Sequence, residues 1–98
     1  MSQDRGAIDA GAARCGWALD GGALHLHSFA GDTLDAGALV AAAVGVATEC
    51  NAAVCVATLD EADPWVAALV AHGFAIDDEE PTVRGGKVRN ELTLLRVV

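Results

Sequence analysis

The chain has 98 residues, 53% of them hydrophobic and 20% charged, and this length leaves room for one typical domain only. Six basic and fourteen acidic residues give a formal net charge of −8. This balance excludes DNA and RNA as partners, because nucleic-acid affinity depends on Lys and Arg that displace counterions from phosphates. No stretch reaches the roughly 18 uninterrupted apolar residues of a membrane span, and the N-terminus lacks the apolar core of a signal peptide. We therefore predict one domain over residues 1–98, in the cytoplasm, with no membrane partner.

The first predicted element is a β-hairpin that follows a flexible arm or edge strand over residues 1–11. In its first strand, Cys15 and Trp17 alternate onto one face, and Asp20-Gly21-Gly22 supplies the turn residues that a hairpin needs. Period-two alternation divides the return strand, 23–29, into two sets. These are Leu24, Leu26 and Ser28 on one side, and His25, His27 and Phe29 on the other.

Two helices and three more strands follow. Asp32 or Thr33 is expected to cap a helix that runs to about Glu49, since its apolar residues recur at a three-to-four spacing. The run 52–57 is apolar at every position, which is typical of a strand covered on both faces. Asp63-Pro64 predicts the start of a second helix and Gly73 its end. Gly85-Gly86 then joins two extended segments in a terminal hairpin.

The order of these elements predicts the fold class. It is α/β (α+β), with a mixed sheet of about five strands, two helices on one face and the order β-β-α-β-α-β-β. The strand that follows a helix can lie parallel to the strand before it, and the right-handed crossover rule then places the helices on the same side of the sheet.

This order, with an apolar helix that closes on His72-Gly73-Phe74 before a final hairpin, resembles the C-terminal core of the GNAT N-acetyltransferase family. The resemblance covers roughly residues 12–98. It implies a GNAT-like core that lacks the family's N-terminal strand and its two helices. It also implies acetyl-CoA or CoA as the cofactor.

In that family, backbone amides at a helix N-terminus hold the pyrophosphate of coenzyme A. The resemblance assigns this role to Ala36, Gly37, Ala38 and Leu39, and assigns the pantetheine arm to the backbone near Ser28 and Phe29. The segment 30–39 nevertheless lacks the family's basic or amide residue and its glycine spacing. Two acidic residues of the segment, Asp32 and Asp35, would repel phosphates there.

The catalytic residues implied by the resemblance are incomplete. The family's tyrosine, which protonates the leaving thiolate, has no counterpart, because the chain contains no tyrosine and Leu69 occupies the aligned position. A general base is expected at His27, with His25 beside it, since histidine titrates near neutral pH. The competing interpretation is a half-buried strand face. A metal site of His25, His27 and Cys15 is a further alternative, but no fourth ligand is evident and we predict no metal.

The leading hypothesis is a truncated GNAT-related protein of degenerate catalysis that acts as a homodimer or binds another protein. The expected contact surface is the sheet face that helices would cover in full-length members, with Cys15, Trp17, His25 and His27. The alternative is a small acetyl-CoA-dependent N-acetyltransferase that dimerisation completes, so both an enzyme and a binding module remain open. The three cysteines are an odd number in a chain without an export signal, which predicts reduced thiols.

Overall fold

The computed structural model describes residues 4–98, with the side chain of Arg84 excepted. This part of the chain forms β1 Arg5–Ala10, β2 Ala13–Asp20, β3 Ala23–Gly31, α1 Ala36–Glu49, β4 Val54–Asp60, α2 Trp65–Val70, β5 Ala75–Arg84 and β6 Lys87–Val97. A 3-10 turn over Thr33–Asp35 leads into α1. The predicted order of elements is confirmed, and residues 5–10 add a sixth strand at the edge. Among the described residues, no helix is long and apolar enough to cross a membrane.

The strands form one mixed sheet in the order β1-β2-β3-β4-β6-β5. β3 and β4 are parallel and are joined through α1, whereas the other neighbouring pairs are antiparallel. The hairpin β5–β6 folds back so that β6, the last strand, pairs with β4. This pairing places the last strand of the chain beside the central β4.

The core lies between the sheet and the two helices. α1 packs on β1, β2 and β4, while α2 packs on β4 and on α1. We call this side of the sheet the helix face. Its largest fully buried side chains are Leu24, Leu39, Leu69 and Leu94 together with Cys15 and Cys55.

We call the opposite side the open face, because no helix of the described residues packs on it. Its side chains alternate with those of the core along each strand. By strand they are Arg5, Ala7 and Asp9 on β1, Arg14, Gly16 and Ala18 on β2, His25 and His27 on β3, Val54, Val56 and Thr58 on β4, Thr93 and Leu95 on β6, and Asp78 and Glu80 on β5.

The expectation that Cys15 and Trp17 share a face with His25 and His27 is wrong. Cys15 is 0% and Trp17 is 7% exposed on the helix face, whereas both histidines are exposed. The pairing of β2 with β3 sets Trp17 opposite Leu26, and residues directly opposite each other in a pair lie on the same face. The register between the strands, which alternation within one strand does not reveal, decides this placement.

The predicted placement of Phe29 with the histidines is also wrong, because β3 contains a bulge. Arg14 lies opposite Ala30 and Gly16 opposite His27, so β3 has one residue more than β2 between these pairs. Ser28 adopts a φ of 55° at this point. The extra residue turns Phe29 to the helix face, where its ring contacts Trp65 with centroids 5.3 Å apart.

Candidate functional site

The parallel strands β3 and β4 separate part-way along their length. They pair from Ala23 with Val54 to Leu26 with Ala57, although β3 continues to Gly31 and β4 to Asp60. The bulge at Ser28 lies just beyond the last paired residue of β3. The 3-10 turn and the start of α2 follow the same ends of the two strands, so this end of the sheet gathers most of the predicted site residues.

His27 lies on the open face at this separation. Its Nδ1 is 2.9 Å from Oγ of Ser28, and its ring covers Gly16, where any added Cβ would collide with the imidazole. A glycine at position 16 is therefore required to seat the ring. The imidazole is exposed on the open face.

Phe29 and Trp65 lie on the helix face, at the point where β3 and β4 separate. Trp65 is 5% exposed, and its ring is tilted by 32° to that of Phe29. Asp63 holds the backbone at this tryptophan, because its Oδ1 accepts the N–H of Trp65 at 2.9 Å. α2 begins one residue later than predicted, since Pro64 and not Asp63 is its N-cap residue. The candidate base His27 and the candidate cofactor residue Phe29 thus lie on opposite sides of the sheet.

The backbone N–H groups of Leu34, Asp35 and Ala36, just before and at the start of α1, already have hydrogen-bond acceptors. Oδ1 of Asp32 accepts the N–H of Leu34 at 2.9 Å, the carbonyl of Asp32 accepts the N–H of Asp35 at 3.1 Å, and the N–H of Ala36 donates to the carbonyl of Thr33. The second carboxylate, Asp35, accepts the N–H of Ala12 at 2.7 Å. Two carboxylates therefore occupy the helix N-terminus, which is the place where an anionic ligand would otherwise bind.

The four residues predicted to hold the pyrophosphate differ in solvent exposure. Ala36 is 0% and Leu39 is 1% exposed, Gly37 faces His72, whose Cε1 would lie 2.9 Å from an added Cβ, and Ala38 is exposed. Neither the 3-10 turn nor α1 contains a basic residue. A pyrophosphate here would meet two carboxylates and no Lys or Arg of these two elements, so the residues present do not fit that part of coenzyme A.

The buried thiols do not supply the missing acid. Burial, with smaller contributions from Cys55 and Asp9, raises the pKa of Cys15 from 9.0 to about 11. Burial also raises the pKa of Cys55, although Arg96 acts in the opposite direction. Both thiols are protonated at neutral pH, and a protonated buried thiol is neither a nucleophile nor a metal ligand.

This pKa shift predicts a loss of stability in alkaline solution. Between pH 9 and 11 the unfolded Cys15 thiol has lost its proton while the folded one keeps it, so the free energy of unfolding should fall as the pH rises through this window. Urea unfolding at pH 8, 9 and 10 measures the fall. It should be smaller in Cys15→Ala and unchanged in Cys50→Ala, because Cys50 is only half-buried. Equal falls in both variants would contradict the assignment.

The part of the chain that the structure describes contains no group of three or more His, Cys, Asp or Glu placed to hold a metal ion. The sheet separates Cys15 from the two histidines, so these three residues do not converge on one ion. The metal alternative raised from the sequence therefore has no geometric basis.

An open pocket at the carboxyl end of β4 was not anticipated from the sequence. It has a volume of about 410 Å³ and is lined by Asp60, Ala62, Asp63, Pro64, Lys87 and Arg89. Nη1 of Arg89 lies 3.7 Å from Oδ1 of Asp60. The sequence shows the acidic residues of 60–63 and the basic start of β6 only as separate segments, and the antiparallel pairing of β4 with β6 brings them together.

Comparison with known proteins gives a clear result at the level of structure alone. No family model matches the sequence, and no curated protein matches it. The ribosomal-protein-S18-alanine N-acetyltransferase from Escherichia coli superposes with a TM-score of 0.74 at 12% identity, over 99% of this chain and 71% of that one. The chain has a GNAT-like fold.

Two further structures support the GNAT-like fold. An IAA acetyltransferase from Bacillus cereus has a TM-score of 0.68 at 14% identity, over 88% of this chain and 69% of that one. A putative acetyltransferase from Salmonella typhimurium, determined with its cofactor acetyl-CoA, has a TM-score of 0.71 at 13% identity, over 88% of this chain and 57% of that one. The GNAT-like core predicted from the element order is confirmed, and the chain spans 57 to 71% of the length of these three structures.

Proposed function

We propose that the chain is a protein-binding module of GNAT-like fold with degenerate catalysis, which pairs with a second copy of itself and uses the open face of its sheet as the contact surface. The observation that carries this proposal is the open face, on which no described helix packs. We place the module in the cytoplasm, in keeping with its three free cysteines.

The composition of the open face suits contact with a second copy. Its centre is formed by the half-buried apolar residues Val54, Val56 and Leu95, whose burial by a partner is favourable. Its β1–β2 margin carries Arg5 and Arg14, whereas its β5 margin is acidic. Because the face carries both signs of charge, two copies can be complementary although each chain has a net charge of −8.

Degenerate catalysis is supported by three observations. At the helix N-terminus expected to bind pyrophosphate, Asp35 is the N-cap residue of α1, and Asp32 caps the 3-10 turn that precedes it. Leu69, at the position of the expected tyrosine, is 0% exposed in the core. His27 is on the opposite face of the sheet from Phe29. Acyl transfer needs an anion site, a proton donor and a base in one cleft. The described residues do not bring these three groups together.

Thermal unfolding with excess coenzyme A and acetyl-CoA tests this part of the proposal. No shift of the melting temperature is expected. A ligand present at about 100 times its dissociation constant stabilises the native state by roughly 2.7 kcal/mol, which in a domain of this size raises the melting temperature by roughly 10 to 20 °C. An active GNAT enzyme measured in parallel serves as the positive control. A shift of several degrees in this chain would contradict the loss of cofactor binding.

The second candidate is a small acetyl-CoA-dependent N-acetyltransferase that dimerisation completes. The observation in its favour is the separation of β3 from β4 beyond Leu26, which leaves the backbone near Ser28 and Phe29 without a strand partner on that side. His27 would be its base and the amides of 36–39 its pyrophosphate site. A thiol-release assay tests it, with His27→Gln expected to abolish turnover and His25→Gln to leave it unchanged. Absence of release in the wild-type protein rejects this candidate.

A further inference from the structure

The two edges of the sheet differ in their capacity to pair with another strand. The β5 edge carries four acidic residues at 77–80 and then Pro81, and both like charges and proline prevent strand addition. The β1 edge contains Arg5, Gly6, Ala7, Ile8, Asp9 and Ala10, with no proline and no run of one charge. Strand pairing with another chain is therefore open to β1 and blocked at β5.

The hydrogen bonds of β1 show which of its residues face the free edge. The N–H of Leu19 donates to the carbonyl of Asp4 at 2.6 Å. In an antiparallel pair, the residues that bond to the neighbouring strand alternate with those that point away. Gly6 and Ile8, like Asp4, therefore direct their backbone groups to β2, while Arg5, Ala7 and Asp9 direct theirs to the edge.

We propose that β1 of one copy pairs antiparallel with β1 of a second copy about a two-fold axis at Ala7. This inference rests on the proposed self-association but places the contact at the β1 edge of the sheet instead of on the open face, so that Val54, Val56 and Leu95 stay uncovered in the dimer. In this register Ala7 lies opposite Ala7 of the second copy. Arg5 of each copy lies opposite Asp9 of the other, so the contact contains two such pairs. All three pairs join edge-facing residues, and the two sheets become one continuous sheet with both open faces on the same side.

Charge selects this register over its neighbours. A two-fold axis at Arg5 would set two guanidinium groups opposite each other, and an axis at Asp9 would set two carboxylates opposite each other. Like charges directly opposite in a strand pair are destabilising, whereas opposite charges stabilise the pair. Asp9 is available for the contact, because its ion pair with Arg14 is long, at 3.6 Å, and both side chains are largely exposed.

The helix face of the same contact is also suited to a second copy. Gly6 faces Ile8 across the axis in this register, so no pair of large side chains meets there. α1 packs on β1, and it contains no charged residue over 36–48. Its exposed positions include Ala38, Ala41 and Gly45, whose small side chains allow the α1 helices of two copies to approach.

Two charge reversals test the register by complementation. In Arg5→Asp alone, both cross-strand pairs become acid against acid, and in Asp9→Arg alone both become base against base. Each variant by itself should weaken the dimer on the order of ten- to a hundredfold, whereas an equimolar mixture of the two should form a heterodimer with both pairs restored. Sedimentation velocity at low salt measures the association, and circular dichroism checks that each variant is folded.

Matched controls separate the edge from the rest of the open face. Arg14→Asp changes a cation beside Asp9 that is not on the edge strand, so the dimer should persist. Ala7→Pro removes an N–H that points away from β2 and should abolish the dimer without loss of the fold. A dimer that survives both reversals but dissociates in Val56→Asp would overturn the β1 pairing and leave the proposed self-association standing. A wild-type chain that is monomeric at millimolar concentration would reject self-association itself.

Discussion

Leu94→Ala is expected to lower the free energy of unfolding by about 2 to 5 kcal/mol, the range for truncation of a fully buried leucine. Leu94 is 0% exposed on β6, opposite Ala57 of the central β4 and Ile76 of β5. Ala57 is too small to fill the space left by the side chain. In a domain of about 100 residues this corresponds to a drop of roughly 10 to 30 °C in the melting temperature.

Leu95→Ala is the matched control for this prediction. Leu95 is the next residue of the same strand, but its side chain lies on the open face and is half-buried. Its truncation removes less buried area and leaves no enclosed cavity, so the loss should be about 1 kcal/mol. Calorimetry of both variants measures the difference. Equal losses would contradict the assignment of the two faces.

Gly31→Ala is expected to be the most damaging glycine substitution in the described chain. Gly31 has a φ of 88°, and an added Cβ would collide with the backbone carbonyl of Ala12. That carbonyl also accepts the N–H of Asp32 at 3.1 Å, so it cannot move without loss of this bond. Strain and overpacking each cost roughly 1 to 3 kcal/mol, and together they approach the total stability of a small domain.

Gly21→Ala separates backbone strain from collision. Gly21 also has a positive φ, 56°, but no atom lies within 4 Å of an added Cβ. The loss should therefore be about 1 kcal/mol, from strain alone. Denaturant unfolding of the two variants checks the prediction. A Gly31→Ala protein as stable as Gly21→Ala would show that the end of β3 yields easily, and that the turn before α1 is not held by Ala12.

Several site features follow from residues adjacent in the chain and were accessible to prediction. Asp63 and Pro64 predict the start of α2, and in the structure the carboxylate of Asp63 accepts a hydrogen bond from the N–H of Trp65. The glycine pairs 21–22 and 85–86 announce hairpin turns, and all four adopt positive φ. The acidic character of the turn before α1 was also visible, and Asp32 of this turn accepts the N–H of Leu34.

Other features of the site involve two strands at once and were not accessible. The bulge at Ser28 has no marker in the sequence, since a bulge is defined by the partner strand that lacks the extra residue. It reverses the side taken by Phe29 and separates the candidate base from the candidate cofactor residues. The pocket beside Asp60 likewise depends on Arg89, which lies 29 residues later in the chain and reaches it only because β6 pairs with β4.

The sequence by itself determined the elements, their order and thereby the GNAT-like fold, because local hydrophobic periodicity, helix capping and turn residues act over a few neighbouring positions. Only the tertiary structure decided which residues share a face. The register between β2 and β3 buried Cys15 and Trp17 and left His25 and His27 on the open face. The physical reason is the two-residue period of a strand: each register shift or bulge of one residue exchanges the two faces, and such shifts are set by contacts between distant segments.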